Sequence, residues 1–214
     1  TFLHSTAMKS RYYQCQKPTC RFRFPAIEKE SGYTCPKCGS AADPIQSIQA
    51  NSTNESANDR ILSISVLLDN IRSAHNVGSI FRTSDGAGVS EILLSGITPT
   101  PDHPGARKTS LGAENTVLWK QTWNAIETCK QYRAQGYQLI VLEKVQGSVP
   151  ITAVNKYLTS SKILLVVGNE NIGIDPEILQ VADKVTFIPM AGMKESLNVS
   201  VAFGICVYWI TLST

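Results

Sequence analysis

The sequence contains little charge and no long apolar run, and each shortage excludes a class of protein. Charged residues make up 17% of the 214 residues and hydrophobic residues 43%, a balance that excludes general disorder. No apolar run reaches the roughly 20 residues that cross a bilayer, which excludes a transmembrane helix. Residues 1–10 lack the charged-then-apolar pattern of a signal peptide. These absences predict a protein without a membrane partner, and we expect it to be cytoplasmic.

Two patterns of enzyme active sites are also missing. No GxGxxG follows the first predicted strand, which disfavours a dinucleotide-binding enzyme of the Rossmann type. His75 and His103 have no recognisable catalytic partner in the sequence, so we expect both to be structural or exposed. No internal repeat is present.

The net charge of +3 conceals an uneven distribution along the chain. Residues 1–44 carry seven Lys and Arg against three Asp and Glu, whereas residues 45–214 carry thirteen against fourteen. A small basic segment beside a near-neutral one is consistent with contact to a polyanion. A merely solvated surface is the alternative, and charge alone hardly separates the two.

Four of the six cysteines form two close pairs, Cys15-x4-Cys20 and Cys35-x2-Cys38. Two such pairs, separated by a short insert, match a tetrahedral zinc site with four thiolate ligands. Gly39 suits the tight turn around a metal-bound thiolate. A site closed by four thiolates has no open position, so zinc would be structural rather than catalytic. Two disulfides or free thiols are the alternatives.

The cysteine pairs indicate a zinc ribbon over residues 1–43, whose insert we predict to form a short hairpin. Arg21 and Arg23 alternate with aromatic residues in this insert, a mixture that suits stacking on unpaired bases and contact with phosphates. A hairpin with one packed face, or contact with another domain or subunit, remains open. Residues 44–60 are polar and predict a linker. The main domain then covers residues 61–214.

Alternating strands and helices in the main domain predict an α/β fold with a mostly parallel sheet. The strands are apolar runs without clean alternation, as in a sheet buried on both faces. Cys129 and Cys206 lie in apolar helical contexts and are predicted to be buried. The predicted strands are 62–68, 91–95, 138–142, 163–167 and 185–188. The predicted helices are 76–87, 122–135, 175–182 and 196–211.

Three glycine- and asparagine-containing loops each come after a predicted strand. They are NVGSIFR at 76–82, GNENIGI at 168–174 and IPMAGMKESLNVSVAF at 188–203. Open α/β sheets bind their ligands at the carboxyl ends of strands, and small residues let a ligand approach the backbone closely. The three loops therefore predict one binding site.

In this order the three loops resemble the motifs of the SpoU/TrmH branch of the SPOUT RNA methyltransferases. The resemblance covers about residues 60–214 and is more specific than any single motif. It implies a C-terminal trefoil knot, a homodimer and S-adenosylmethionine as cofactor. The implied reaction is methyl transfer to a ribose 2′-hydroxyl of tRNA or rRNA. A base-methylating SPOUT enzyme and a catalytically silent RNA-binding protein are the alternatives.

The resemblance also implies roles for individual residues. Because a guanidinium stays protonated, we interpret Arg82 as stabilising developing negative charge rather than removing a proton. Helix capping is the structural alternative for Asn76, Ser196 and Asn198. The implied catalytic residues are Arg82, Asn76, Glu170, Ser196 and Asn198. The implied cofactor-binding residues are Gly168, Glu170, Ile188, Met190 and Leu197.

A basic stretch between the first two motifs also resembles a family segment. Arg107 and Lys108 are its candidates for binding RNA phosphates, alongside Arg21 and Arg23 of the zinc ribbon. A solvated loop is the structural alternative. The sequence does not distinguish tRNA from rRNA as the substrate.

Overall fold

The computed structural model describes residues 10–27, 29, 31–45 and 62–212, and the chain divides into two compact units, Thr1–Ser56 and Ala57–Thr214. Beyond residue 45 the predicted linker lies outside the described residues, so the predicted domain limits stay predictions. Across the described ranges, no helix combines the length and the apolarity needed to cross a membrane.

The small unit is a four-stranded antiparallel sheet in the order β2-β1-β4-β3. The hairpin predicted for the insert is wrong, because β2 and β3 lie at opposite edges of this sheet and do not pair. Each cysteine pair instead makes a tight turn that folds one strand back on its neighbour. The strands are β1 Ser10–Cys15, β2 Arg23–Ile27, β3 Tyr33–Thr34 and β4 Ala41–Pro44.

A small aromatic cluster packs one face of this sheet. Tyr13 is buried, and its ring centroid lies 5.9 Å from that of Phe24 and 4.6 Å from that of Tyr33. Tyr12 and Phe22 remain exposed. The aromatic residues of the small unit are therefore divided between a packed cluster and an accessible surface.

The large unit is built on a parallel sheet in the order β7-β6-β5-β10-β8-β11-β9, which confirms the predicted α/β class. The implied knot stays a prediction. The strands are β5 Ser63–Asp69, β6 Glu91–Ser95, β7 Leu118–Thr122, β8 Gln138–Leu142, β9 Val149–Pro150, β10 Lys162–Val167 and β11 Lys184–Phe187. The helices are α1 Ala74–Ala87, α2 Pro104–Ser110, α3 Ala125–Ala134, α4 Pro176–Val181 and α5 Val199–Leu212, with 3-10 turns at Ala113–Asn115 and Ile151–Tyr157.

Both faces of the sheet are buried, as the continuous apolar runs predict. Along β10, Leu165 points into the core shared with α1 and α5, whereas Leu164 points into the core shared with α3 and α4. Cys129 and Cys206 are each fully buried, one in either core, which confirms their predicted burial.

Three regions differ from the predicted elements, one of them the stretch that forms β9 and the 3-10 turn Ile151–Tyr157, which the sequence pattern did not indicate. Residues 96–124 form α2, a 3-10 turn and β7, none of which the sequence pattern indicated, and the helix predicted at 122–135 begins at Ala125 after the cap Asn124. The last helix begins at Val199 rather than at residue 196, so Ser196 lies before its first turn. The side chain of Asn198 accepts a hydrogen bond from the Ser200 N–H at 2.9 Å and caps this helix instead.

Replacing Gly78 with alanine is expected to lower the free energy of unfolding by about 1–3 kcal/mol. A Cβ at this position of α1 would overlap the Ala106 carbonyl and the Thr109 hydroxyl of α2. Gly204 in α5 is the matched control, because a Cβ there would lie 3.6 Å from Thr83 Cγ2. Gly204→Ala should stabilise the helix by about 0.5–1 kcal/mol. Urea unfolding of both variants measures the difference, and equal effects would contradict close packing of α1 on α2.

Candidate active site

A cleft of about 890 Å³ opens at the carboxyl ends of β8, β10 and β11. Its wall combines backbone of the three predicted loops with the apolar side chains of Leu142, Val167 and Ile188. Of the nine residues predicted for catalysis or cofactor binding, eight line this cleft: Asn76, Gly168, Glu170, Ile188, Met190, Ser196, Leu197 and Asn198. The three sequence motifs therefore meet in one place, although they lie far apart along the chain.

The start of α1 forms one side of the cleft. Ser73 caps this helix, and its hydroxyl accepts a hydrogen bond from the Asn76 N–H at 3.3 Å. Asn76 therefore lies within the first turn and is not the residue that caps this helix. Its side chain instead points towards the second and third loops.

Glu170 of the second loop holds the start of α1. Its Oε2 accepts from the Arg72 N–H at 2.9 Å, and its Oε1 accepts from the Ser73 N–H at 3.2 Å and from Asn76 Nδ2 at 2.9 Å. Burial alone would raise the pKa of Glu170, but these donors outweigh it and hold the pKa below its usual value of 4.5. Glu170 is therefore an ionised acceptor occupied by the protein's own donors, unlike a general base.

Asn76 continues the network into the third loop. Its Oδ1 accepts from Asn198 Nδ2 at 3.1 Å, while Asn198 Oδ1 also accepts from the Ser200 hydroxyl at 2.7 Å. Residues from all three motifs are thus joined by a chain of hydrogen bonds from Glu170 to Ser200. The side chain of Ser196 is exposed in the cleft, and the alternative of helix capping does not apply to it because the helix starts three residues later.

The second loop is folded by its own asparagine and glycines. The backbones of Asn169 and Gly173 form a mutual pair of hydrogen bonds of 3.1 and 2.9 Å, and Asn169 Nδ2 donates to the Asn70 carbonyl at 2.7 Å. A Cβ on Gly168 would lie 2.7 Å from the Gly173 carbonyl oxygen, so a side chain at residue 168 would displace this turn. Glycine is required here for close approach of the backbone.

Arg82 does not line the cleft of its own chain. It lies six residues after Asn76 on α1, which turns its side chain by about 120° away from that of Asn76. The side chain is exposed and forms no hydrogen bond or ion pair with the described residues. Two contacts place this part of α1 against α5: a Cβ on Gly86 would lie 2.8 Å from the Tyr208 hydroxyl, and Thr83 faces Gly204.

The four predicted RNA-binding residues lie on exposed surfaces outside the cleft. Arg107 and Lys108 lie on α2, where Arg107 Nη2 is 3.2 Å from Asp102 Oδ1. Arg21 follows the first cysteine pair with a φ of +48°, and Arg23 Nε donates to Gln14 Oε1 at 2.7 Å. His103 accepts from the Gly105 N–H at 3.0 Å and caps α2, which confirms the structural role predicted for it.

The sulfur atoms of Cys15, Cys20, Cys35 and Cys38 all lie within 4.8 Å of one another, and no disulfide joins any of the six cysteines. The Sγ atoms are 3.4 Å apart in the pair Cys15 and Cys38, and 3.9 Å apart in the pair Cys20 and Cys35. Four thiolates around zinc, each about 2.3 Å from the ion, are separated by about 3.8 Å. The residues present therefore fit a tetrahedral zinc ion.

Several residues of the cleft carry no signal in the sequence motifs. Glu143 and Lys144 follow the carboxyl end of β8, and Arg72 follows β5. Their position directly after a buried strand could have predicted that they line the cleft, because ligands bind at this edge of the sheet.

Replacing Glu170 with glutamine is expected to lower the free energy of unfolding by about 1 kcal/mol at pH 7. The effect is no larger because the carboxylate is partly exposed and water screens its interactions. The amide keeps the shape but turns an NH2 group towards the N–H donors of α1. Because the pKa of Glu170 is lowered by folding, its contribution is present above pH 4.5 and is lost as the pH falls through the depressed value.

Urea unfolding of wild type and Glu170→Gln at neutral and acidic pH measures this difference. Glu195→Gln is the matched control, because Glu195 lines the same cleft and forms no side-chain hydrogen bond with the described residues. A stability difference that does not shrink at acidic pH would contradict the assigned role.

The large unit is similar in sequence to known RNA methyltransferases. Residues 63–208, about two thirds of the chain, match the model of the SpoU rRNA Methylase family. A tRNA (guanosine(18)-2′-O)-methyltransferase from Aquifex aeolicus is 33% identical over 67% of this chain and 66% of its own length. The 23S rRNA (guanosine-2′-O-)-methyltransferase RlmB of Acinetobacter baylyi is 30% identical over 71% of this chain and 59% of its own length.

Solved structures agree with the sequence relatives. The crystal structure of an AdoMet-bound rRNA methyltransferase from Sinorhizobium meliloti superposes with a TM-score of 0.65 and 30% identity, covering 71% of this chain and 56% of that one. The chain thus spans less than two thirds of the length of the two curated relatives, and the similarity resides in its large unit.

Proposed function

The chain belongs to the SpoU rRNA methylase family, and we propose that it transfers the methyl group of S-adenosylmethionine to a ribose 2′-hydroxyl of tRNA or rRNA. The observation that carries the proposal is the hydrogen-bonded chain from Glu170 through Asn76 to Asn198, which draws all three motifs into one cleft. Relatives named for 2′-O-methylation of tRNA and of 23S rRNA support both substrate classes.

The residues of the cleft fit S-adenosylmethionine. The volume of about 890 Å³ suits a ligand of that size, and the cleft combines apolar walls with glycine-containing backbone. The residues proposed to hold the cofactor are Gly168, Glu170, Ile188, Met190 and Leu197. When bound, the cofactor supplies a methyl group already activated by its positively charged sulfur, so the reaction needs no metal.

In the reaction, the protein aligns the 2′-hydroxyl with the methyl group and stabilises the negative charge that develops on the 2′-oxygen. As the 2′-oxygen forms a bond to the methyl carbon, the carbon–sulfur bond breaks and the hydroxyl proton leaves to a phosphate oxygen or water. Ser196 and Asn198 are exposed at the mouth of the cleft and are proposed to orient the ribose. Arg82 is proposed to stabilise negative charge on the oxygen, since a guanidinium is a poor proton acceptor.

Arg82 can serve a cleft that it does not line if two copies of the chain associate. The exposed face of α5 is apolar, with Val201 50% and Leu212 78% exposed, and this face borders the part of α1 that carries Arg82. A second copy docked on α5 would cover the apolar face and bring Arg82 into the interface. We therefore propose a homodimer in which Arg82 of one copy completes the cleft of the other.

The four-cysteine site of the small unit is proposed to hold structural zinc, with Cys15, Cys20, Cys35 and Cys38 as ligands. Zinc would replace the core that this unit lacks, because one aromatic cluster buries too little apolar surface to fold it alone. RNA phosphates are proposed to contact Arg21 and Arg23 of this unit and Arg107 and Lys108 of the large unit.

Incubation of the purified chain with labelled S-adenosylmethionine and separate tRNA and rRNA pools tests the proposal. A labelled 2′-O-methyl nucleoside, identified by mass spectrometry in either pool, is the expected result. Label on a base would refute the ribose assignment. Cofactor binding without transfer to either pool would contradict the proposed substrates, and no cofactor binding would favour the catalytically silent alternative.

A further inference from the structure

One carboxylate of the cleft retains an unused acceptor oxygen. Glu143 follows the carboxyl end of β8, and its backbone N–H donates to the Thr186 carbonyl of β11 at 2.9 Å. Its Oε1 accepts from the Lys144 N–H at 2.8 Å, whereas its Oε2 accepts no hydrogen bond from the described residues. Glu170, by contrast, uses both of its oxygens to hold the start of α1. Glu143 therefore offers a ligand an oxygen that accepts no hydrogen bond from the described residues, whereas both oxygens of Glu170 already accept hydrogen bonds from the protein.

The unused oxygen lies directly beside the second loop. Glu143 Oε2 is 2.7 Å from the position that a Cβ on Gly173 would occupy, so the missing side chain at residue 173 makes room for the carboxylate. Gly173 also has a φ of +76°, which other residues rarely adopt. The carboxylate is thereby placed between the loop after β10 and the loop after β11.

This position matches a general arrangement of nucleotide-binding α/β sheets. In such sheets an acidic residue at the end of the strand next to the glycine-loop strand accepts a hydrogen bond from a ribose hydroxyl. Here the glycine-containing loop follows β10, and Glu143 ends the neighbouring strand β8. A carboxylate with one oxygen already fixed by the Lys144 N–H is held in place to receive a hydroxyl on the other.

We propose that Glu143 accepts a hydrogen bond from the ribose hydroxyls of the adenosyl group of the cofactor, a role that rests on the proposed function. Glu143 is thus a cofactor-binding residue that selects for an intact ribose. The methionine ammonium group is the competing donor on the same ligand, and the experiment below separates the two.

Calorimetric titration with S-adenosylhomocysteine, the stable product of methyl transfer, tests this role without measuring activity. Glu143→Gln should weaken binding roughly 10- to 100-fold, as expected for loss of a hydrogen bond to a charged group. With the 2′,3′-dideoxy analogue, the same substitution should change affinity by less than about twofold, because the donors are gone. Glu177→Gln, which alters an exposed carboxylate of α4 that does not line the cleft, should leave both affinities within about twofold.

Three outcomes would overturn the inference. Equal losses with both ligands would show that Glu143 acts only on the structure of the loop. A loss with S-adenosylhomocysteine but none with 5′-methylthioadenosine, which lacks the amino acid part, would assign Glu143 to the ammonium group. Unchanged binding in Glu143→Gln, with a wild type that methylates RNA, would refute the inference and leave the proposed function intact.

The wild-type chain provides a second test that does not depend on folding of a variant. It should bind the dideoxy analogue at least about tenfold more weakly than S-adenosylhomocysteine. Equal affinity for the two ligands would exclude a ribose anchor in this cleft. A wild type that binds neither ligand and transfers no methyl group would count against the proposed function itself.

Discussion

Replacing Arg82 with alanine is expected to slow methyl transfer to RNA by about 10²- to 10³-fold, the effect of removing one group that stabilises charge in a transition state. Affinity for S-adenosylhomocysteine should change by less than about twofold, because the cofactor-binding residues lie on the other two loops. Single-turnover methylation and calorimetric titration measure the two quantities separately. A loss of cofactor affinity equal to the loss of rate would contradict a role confined to the reacting oxygen.

Arg82→Lys is the matched control for charge. Lysine keeps the positive charge but loses the planar, forked set of donors, so it should recover only part of the rate. Full recovery would indicate that charge alone matters. No recovery at all would indicate that the geometry of the guanidinium carries the effect.

Mixed dimers test whether Arg82 acts on the cleft of the other copy. Arg82→Ala and Asn198→Ala should each be inactive alone, since one lacks the charge and the other lacks the ribose-orienting amide. Random mixing should restore about a quarter of wild-type activity, because about half of the dimers then hold one complete cleft out of two. No restoration in a mixture that exchanges subunits would place Arg82 in the cleft of its own chain.

The elements that the sequence predicted well are those in which burial dominates the pattern. β10 is apolar at every position from Ile163 to Val167 because both faces of the central sheet are covered. Such continuous apolar runs indicate a parallel sheet. The cleft was predictable for a related reason: three loops with small residues each follow a strand, and parallel strands present their carboxyl ends at one edge.

The missed elements are those in which local patterns are weak. β7 is an edge strand with Leu118 74% exposed and Lys120 also exposed, so it shows neither an apolar run nor alternation. α2 is only seven residues long and begins at Pro104 after the cap His103, within a stretch whose turn residues conceal it. Short and exposed elements are determined by tertiary contacts, which composition does not reveal.

The candidate site shows the same limit at the level of single residues. Glu170 was predictable as a member of the site but not as the acceptor that holds α1, because its donors lie about 100 residues earlier in the chain. Ser196 illustrates the opposite error: its residue type suits a helix cap, yet the helix begins only after Asn198 supplies that cap.

Replacing Cys35 with serine is expected to remove zinc from the purified chain and to unfold the small unit, leaving the large unit folded. Four thiolates fit one tetrahedral ion, so loss of one ligand breaks a closed site. Sites of this kind supply the folding energy of their modules outright, and the module unfolds when the metal is removed. The described apolar packing of this unit is one cluster around Tyr13, which cannot replace that contribution.

Metal analysis and two-dimensional NMR spectra measure the two expected changes. Zinc should fall from about one ion per chain to none, and the dispersed signals of the small unit should collapse while those of the large unit persist. Cys129→Ala is the matched control, because this thiol is buried in the core beside α3 and lies outside the cluster, so zinc content should not change. A small unit that stays folded without metal, in the variant or in chelator-treated wild type, would refute structural zinc and leave its free thiols without an assigned role.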